Sequence, residues 1–300
     1  MREAERQMRG GVQAFQDSDY AAATNLFARA HGLYRSIDSG EGMALAGINL
    51  AETALAMGSY ARADSQIHAA RALVATHGLE DRFGARLAVL EATAAHGLGD
   101  RERALARLAD VLPAFDEDQR PDKVRADGAT VAAVVLRTRM AFEDGADAAL
   151  WTRRLEHTLR RLSGDDVMGR ARLLRFQGQL AQRAGDPDTA RERLTHALAL
   201  YRQRAHRAGT AATLYELGGL AADRGDWHAA RDYFERALYI HTWILGRPGT
   251  ADALASLARV HEASGDLARA EAAQRWSALL RQDNDVNWSA LRDQVIPALP

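Results

Sequence analysis

The chain has 300 residues, of which 47% are hydrophobic and only 6% aromatic, and its formal net charge is −1. This composition favours many close contacts between small side chains over one bulky core. The sequence has no cysteine, which excludes disulfides, thiolate nucleophiles and cysteine-ligated metals. It also lacks an apolar run typical of a signal peptide or a membrane span, so we expect a cytoplasmic protein.

A short turn followed by an amphipathic helix recurs along the sequence. Six such turns begin with serine or glycine, and five of them continue with aspartate: 18–20, 58–60, 99–101, 185–187, 225–227 and 265–267. In the first five, small and large apolar residues follow at i, i+4 and i+7, on one face of an α-helix. Glycine can end one helix in the left-handed conformation, and aspartate can cap the next. The pattern predicts a row of helical hairpins.

The most regular hairpin lies between residues 214 and 238. Its first stripe holds Leu214, Leu217, Gly218 and Ala221, and its second holds Ala230, Phe234 and Ala237. Gly218 and the alanines permit close helix packing, and Phe234 fills the remaining space.

These residues and the Gly225-Asp226 turn between them resemble the tetratricopeptide repeat (TPR) family. The resemblance implies an all-α, right-handed superhelical solenoid of about seven helical hairpins. The first helix of each hairpin would line an inner groove that binds peptides or protein segments. The period of about 40 residues exceeds the usual 34, because the second helix is longer. It is similar to the extended repeats of bacterial sensor regulators and kinesin light chains.

We predict that the solenoid spans residues 1–283. The clear units begin near residues 4, 44, 85, 171, 211 and 251. A fourth unit with a less regular pattern fits at 124–164, and its first helix would start at about 124–132. The fourth unit would bury Val131, Val134, Val135 and Leu136 on its first helix and Leu150, Leu155, Leu159 and Leu162 on its second. A polar stretch at 116–128 predicts an irregular connection. Residues 284–300 would form a capping helix and tail, or alternatively a self-association segment.

No motif of a known catalytic class is present. The sequence lacks the phosphate loop GxxxxGK[ST], the dinucleotide motif GxGxxG, the nucleophile elbow GxSxG and the zinc motif HExxH. Its ten histidines include no i, i+4 pair that would hold a metal on one helical face. We therefore predict no enzyme activity, no metal and no cofactor.

Positive charge is concentrated in one stretch. Residues 151–207 hold 13 basic and 6 acidic residues. The resemblance to the TPR family places the following residues on the groove: Arg172, Arg175, Gln179, Gln182 and Arg183, with Tyr215 in the next unit. The set is similar to the carboxylate clamp of chaperone-binding TPR domains, and arginine binds carboxylates through paired hydrogen bonds. It predicts binding of an acidic segment, a C-terminal carboxylate or an anionic ligand; an ordinary solvated face is the alternative.

The amino-terminal half of the predicted groove is apolar. Its candidate partner contacts are Met8, Val12, Phe15, Ile48 and Leu55, with packing between neighbouring helices as the alternative. Peptide sensors of the TPR family often grip the peptide backbone with groove asparagines, and only Asn49 lies near such a position here, which argues against a peptide sensor without excluding it.

Two functions remain open from the sequence. The first is an adaptor that binds another protein in its groove and that could also form a homodimer. The second is a ligand- or peptide-responsive regulatory module of a bacterial signalling or transcription-control system. Nucleic acid is an unlikely partner, since only one repeat is basic.

Overall fold

The computed structural model describes residues 1–112, 128–145, 148–161, 166–244, 246–282 and 287–295. Within these ranges the chain forms fifteen α-helices and no strand, which confirms the predicted all-α class. The helices are α1 Arg2–Gln16, α2 Tyr20–Ser36, α3 Gly40–Ala56, α4 Tyr60–Thr76, α5 Glu80–Gly97, α6 Arg101–Val111, α7 Gly128–Glu143, α8 Ala148–Arg161, α9 Val167–Arg183, α10 Pro187–Gln203, α11 Arg207–Asp223, α12 Trp227–Trp243, α13 Arg247–Ala263, α14 Leu267–Gln282 and α15 Trp288–Val295.

The chain divides into two compact units, Met1–Leu173 (unit 1) and Leu174–Pro300 (unit 2), with the boundary inside α9. In unit 1, each helix from α1 to α6 packs against the next, and α7 packs against α5, α6 and α8. In unit 2, each helix from α10 to α14 packs against the next. Consecutive packing of this kind is the architecture of a helical-repeat solenoid.

The turn inside each hairpin has the capping chemistry that the sequence predicts. Gly225 adopts a left-handed conformation with φ of 75°, and Asp226 accepts a hydrogen bond from the Ala229 N–H at 3.0 Å. The same aspartate cap, at 3.0–3.2 Å, occurs at Asp19, Asp100, Asp186 and Asp266. Ser59 departs from the pattern because its side chain makes no capping hydrogen bond.

Glycine also sets the distance between the two helices of a hairpin. A Cβ atom added to Gly218 would lie 2.7 Å from the Phe234 ring, and one added to Gly178 would lie 2.6 Å from Leu194. Both distances are too short for unbonded carbon atoms, so a larger residue would push the helices apart. The predicted contact between Gly218 and Phe234 is therefore confirmed.

A second glycine contact joins each of three hairpins to its successor. An aromatic ring near the end of a second helix packs on a glycine eight residues later, in the first turn of the next helix: Tyr34 on Gly42, Tyr201 on Gly209 and His241 on Gly249. A Cβ atom at any of these glycines would overlap the ring. The sequence analysis did not identify these pairs.

The fourth hairpin, α7 and α8, lies within the predicted span 124–164. Its buried residues include Val131, Val134, Leu136 and Leu155, while Val135 and Leu159 are half-buried. The Leu150 side chain, Leu162 and the predicted connection at 116–128, apart from Gly128, lie outside the described residues.

Helix α15 covers apolar surface at the end of unit 2. Leu291 is fully buried in a cluster that includes Leu280, with Trp276 and Trp288 packed against it. The Trp276 indole N–H donates to the Gln294 side-chain oxygen at 3.1 Å. In the described structure this segment therefore packs on its own chain.

Candidate binding surface

The first helices of unit 2 carry a continuous polar surface, which we call the unit 2 face. We define it by Arg175, Gln179 and Gln182 on α9, Tyr215, Glu216, Gly219 and Asp223 on α11, and Ser256 and Arg259 on α13. Since α11 and α13 are in contact, side chains of successive hairpins meet on this face.

Three hydrogen bonds on the unit 2 face join residues that are 41 positions apart. Arg175 Nη1 donates to Glu216 Oε1 at 2.9 Å, Gln182 Nε2 donates to Asp223 Oδ2 at 2.7 Å, and Ser256 Oγ donates to the Tyr215 hydroxyl at 3.2 Å. The separation is one repeat period plus one residue. The bonds therefore link matching levels of successive first helices.

The ion pair between Arg175 and Glu216 is mostly buried. The two side chains are 22% and 10% exposed, and the Gln179 amide also donates to Glu216. Burial alone would lower the pKa of Arg175, but the charge of Glu216 and the Tyr201 hydroxyl oxygen raise it. Arg175 therefore stays charged, and its charge is matched inside the chain.

These contacts revise the predicted arginine and amide cluster. Arg175, Gln179 and Gln182 already donate to carboxylates of their own chain, so an acidic partner would have to displace Glu216 or Asp223. Arg172 and Arg183 are exposed on α9, but Arg172 belongs to unit 1 and Arg183 to unit 2. The prediction treated all five side chains as equally available, because Glu216 lies outside the groove positions it considered.

Tyr215 is half-buried and serves packing as well as hydrogen bonding. Its ring lies 5.4 Å from the Phe234 ring at an angle of 49°, and its hydroxyl accepts the bond from Ser256. Arg259 Nη2 in turn donates to Ser256 Oγ at 3.4 Å. Tyr215 and Ser256 thus hold Arg259 at the edge of the face.

A pocket of about 90 Å³ opens between α11, α12 and α13. Its polar wall is formed by Asp223, Ser256 and Arg259, and its apolar part includes Trp227, Phe234 and Val260. Trp227 is 42% exposed, so part of this lining residue remains open to solvent.

Two further observations concern the part of the chain that the structure describes. No group of three or more histidine, cysteine, aspartate or glutamate side chains there is arranged to hold a metal ion. No helix there is both long enough and apolar enough to cross a membrane.

Comparison with known families identifies the repeats. Residues 209–281 match the tetratricopeptide repeat family model, and the match runs from α11 to α14. This part of the chain consists of tetratricopeptide repeats (TPR). The matched TPR hairpins carry the Gly218 and Phe234 contact, the Asp226 and Asp266 caps and the whole pocket.

A solved structure shows the same TPR-like fold. The crystal structure of BtubC (BKLC) from P. vanneervenii is similar with a TM-score of 0.51 and 17% sequence identity, over 77% of this chain and 93% of that one. A comparison with curated protein sequences finds no match.

The apolar residues predicted as partner contacts in the amino-terminal hairpins have different environments. Ile48 is fully buried and Met8 is 7% exposed, so Ile48 is unavailable to a partner. Phe15 and Leu55 are half-buried, with the Phe15 ring 5.5 Å from Tyr20. Val12, at 39% exposed, is the most accessible of the five.

Asn49 is not available to grip a peptide either. It is 6% exposed, its Nδ2 donates to Met8 Sδ at 3.3 Å, and its Oδ1 accepts from Arg86 at 2.7 Å. Arg86 also donates to Glu52 at 2.8 and 2.6 Å. This network links α1, α3 and α5, the first helices of three successive hairpins.

Sequence reasoning missed Glu216, the residue that neutralises the predicted cluster. A search for opposite charges separated by one repeat period plus one residue would have found it, since Arg175 and Glu216 are 41 residues apart. The same search would have found Glu41 and Arg82 in unit 1, which form an ion pair with the same separation.

Proposed function

We propose that this TPR protein is a non-catalytic scaffold that binds a segment of another protein on the unit 2 face. The observation that supports the proposal is that the family match at 209–281 covers most of α11 and all of α13, two of the three helices that bear the face, together with the whole pocket. TPR arrays commonly use the surface of their first helices for protein binding. We therefore place the partner along α9, α11 and α13.

The internal hydrogen bonds of the face support a rigid binding surface. Glu216, Asp223 and Tyr215 each hold a side chain of a neighbouring first helix. A partner would meet groups that are already positioned, which lowers the entropy lost on binding. We propose that the segment lies against Gly219 and Ala222, where α11 presents little side-chain bulk.

Only part of the predicted arginine cluster is kept as a candidate for direct partner contact. Arg172 and Arg183 are exposed and remain candidate contacts for acidic residues of a partner. Arg175 would contribute only if a partner carboxylate replaced that of Glu216, so we assign it a supporting role. Charge reversal of Arg172 or Arg183 then tests direct contact without breaking the Arg175 ion pair.

A bulky substitution on the face provides the main test. Gly219 tolerates a side chain, since the nearest atom to an added Cβ is the Gln182 amide nitrogen at 3.7 Å. We expect Gly219→Arg to abolish capture of the proteins that the immobilised wild-type chain retains from a lysate of the source cells. Captured proteins would be identified by mass spectrometry.

The matched control is Gly32→Arg, on the second helix α2. An added Cβ at Gly32 has no neighbour within 4 Å, so this variant gains the same charge and bulk away from the unit 2 face. The proposal requires loss of the captured set with Gly219→Arg and retention with Gly32→Arg. Equal retention by both folded variants would contradict it.

A further inference from the structure

Asp223 and Arg259 flank the same pocket without forming an ion pair with each other. Asp223 accepts a hydrogen bond from Gln182 at 2.7 Å, and Arg259 makes one long contact of 3.4 Å to Ser256. Opposite charges of exposed, flexible side chains usually approach each other when nothing holds them apart. Here Gln182 engages Asp223 on α11 and Ser256 contacts Arg259 on α13, so the two charged groups line the pocket from different helices.

The size of the pocket limits what it could hold. Its volume of about 90 Å³ is well below the roughly 300–1,000 Å³ of sites that enclose a whole small-molecule ligand. A pocket of this size suits a single short side chain. Because it opens on the seam between α11 and α13, that side chain could belong to a segment lying on the unit 2 face.

The charges of Asp223 and Arg259 determine which type of side chain the pocket could bind. Arg259 would attract a carboxylate, but Asp223 would repel it. An ammonium group would be attracted by Asp223 and repelled by Arg259. A primary carboxamide satisfies both walls, since its oxygen accepts from a guanidinium and its NH₂ donates to a carboxylate. The planar amide would also contact Trp227, which lines the pocket.

We propose that the pocket formed by Asp223, Trp227, Ser256 and Arg259 binds the carboxamide side chain of an asparagine or glutamine in the partner segment. The proposal rests on the function proposed above and assigns the partner an anchor residue. Arg259 and Asp223 supply the two hydrogen bonds, and Ser256 positions Arg259. Phe234 and Val260 provide the apolar part of the pocket for the side-chain methylene.

The test uses capped amino acids and the purified full-length chain. The five tryptophans are labelled with 5-fluorotryptophan, and the Trp227 fluorine signal is assigned with the Trp227→Phe variant. N-acetyl methylamides of asparagine, aspartate, lysine and leucine are then titrated. We expect the asparagine probe to shift the Trp227 signal saturably with a Kd of about 1–10 mM, typical of a single weak anchor. The other three probes should bind several-fold more weakly.

Two wall variants and one control make the result decisive. Asp223→Asn keeps an acceptor for Gln182, and Arg259→Gln keeps much of the side-chain length; each should weaken the asparagine probe about fivefold or more. Asp252→Asn, on the same helix as Arg259 but paired with Arg281, should leave binding unchanged.

Three outcomes would overturn the proposal. Preference for the aspartate probe, with tighter binding after Asp223→Asn, would identify a carboxylate pocket. Preference for the leucine probe, with no effect of either wall variant, would identify an apolar pocket. Absence of any Trp227 shift would show that the pocket binds none of these groups. The titration contains no partner protein, so the two tests are independent. The pocket can fail to bind the asparagine probe although Gly219→Arg abolishes partner capture, and it can bind the probe although Gly219→Arg leaves capture unchanged.

Discussion

Arg175 and Glu216 form an ion pair across 2.9 Å although they are 41 residues apart, and their side chains are only 22% and 10% exposed. Removing one member of a buried pair leaves the other charge without compensation. We expect Glu216→Leu to lower the free energy of unfolding of unit 2 by about 3 kcal/mol. The double variant Arg175→Met, Glu216→Leu should recover most of this loss, because neither charge then remains buried. Urea denaturation would measure both effects.

The control for this prediction is Asp232→Asn. Asp232 pairs with Arg236 four residues later on the same helix, and both side chains are about half exposed. A surface pair of this kind contributes no more than about 0.5 kcal/mol. If Glu216→Leu cost no more than Asp232→Asn, the buried pair would not be a source of stability.

The contact between Tyr201 and Gly209 predicts a strong dependence on side-chain size. Gly209→Ala places a methyl group inside the Tyr201 ring, so we expect a loss of about 1–3 kcal/mol despite the better helix propensity of alanine. Gly84→Ala, where an added Cβ meets nothing within 4 Å, should instead gain up to about 1 kcal/mol. Thermal unfolding followed by circular dichroism would measure both changes.

Unit 1 suggests a second substitution that would compensate for Gly209→Ala. At the corresponding place, Val74 lies near the end of the second helix α4, and Arg82, not glycine, lies eight residues later. Adding Tyr201→Val to Gly209→Ala should therefore restore part of the lost stability. Further destabilisation by the second substitution would show that the ring and the methyl group do not compete for the same space.

His241 should make unit 2 sensitive to acid. Burial lowers the pKa of His241 from 6.5 to about 4, with a smaller contribution from the charge of Arg175. Between these two values the unfolded chain binds a proton that the folded chain does not, so stability falls as the pH decreases from about 6.5 to about 4. The pKa difference corresponds to roughly 3 kcal/mol at the acid end of this range.

The variant that tests this is His241→Tyr, which copies the Tyr201 and Gly209 pair of the preceding hairpin. It removes the titrating group while keeping an aromatic ring against Gly249. The slope of unfolding free energy against pH between about 4 and 6.5 should then decrease relative to the wild type. An unchanged slope would mean that His241 is protonated in the folded chain or does not contribute.

Glu91 is a buried carboxylate of unit 1 that should also make stability depend on pH. It is 3% exposed and lies 2.7 Å from Arg71 Nη2, with Arg103 and Arg107 each at 3.1 Å. Burial would raise the pKa of Glu91, but the charge of Arg71 and the hydrogen bonds from Arg103 lower it overall. The stability it provides is therefore present above pH 4.5 and lost as the pH falls through the lowered folded pKa.

We expect Glu91→Gln to lower the melting temperature of unit 1 clearly at pH 7, because three guanidinium groups lose their shared carboxylate. The difference from the wild type should shrink as the pH falls below 4.5 and through the lowered pKa of folded Glu91. Glu41→Gln, which breaks an exposed pair with Arg82, should change the melting temperature little. A Glu91 effect that does not vary with pH would argue against charge as its cause.

The helices were predictable because their signals are local. The Gly225-Asp226 turn and the spacing of Ala230, Phe234 and Ala237 specify a helix end, a cap and a buried stripe within a short window. The same signals recur in the other hairpins, so the element order and the close contact at Gly218 followed from the sequence.

The surface contacts were harder to predict because their partners are distant in the sequence. Whether Arg175 or Asn49 is available to a partner depends on Glu216 and Arg86, which lie 41 and 37 residues away. The family resemblance indicates whether a side chain points into the groove. It does not indicate which neighbouring side chain forms a hydrogen bond with it. Likewise, Ile48 falls at a plausible groove position, but close packing of α3 against α4 and α5 buries it completely.

The rings that pack on glycines eight residues later have a consequence for the order of the hairpins. A hairpin ending in Tyr34, Tyr201 or His241 accepts as its successor only a hairpin with glycine in its first turn. The hairpin that ends in Val74 has no such requirement, since it precedes Arg82. Exchanging single repeats should therefore be tolerated after Val74, whereas after Tyr201 it should create clashes wherever the incoming hairpin lacks this glycine. The junctions thus restrict the order in which these repeats can be joined.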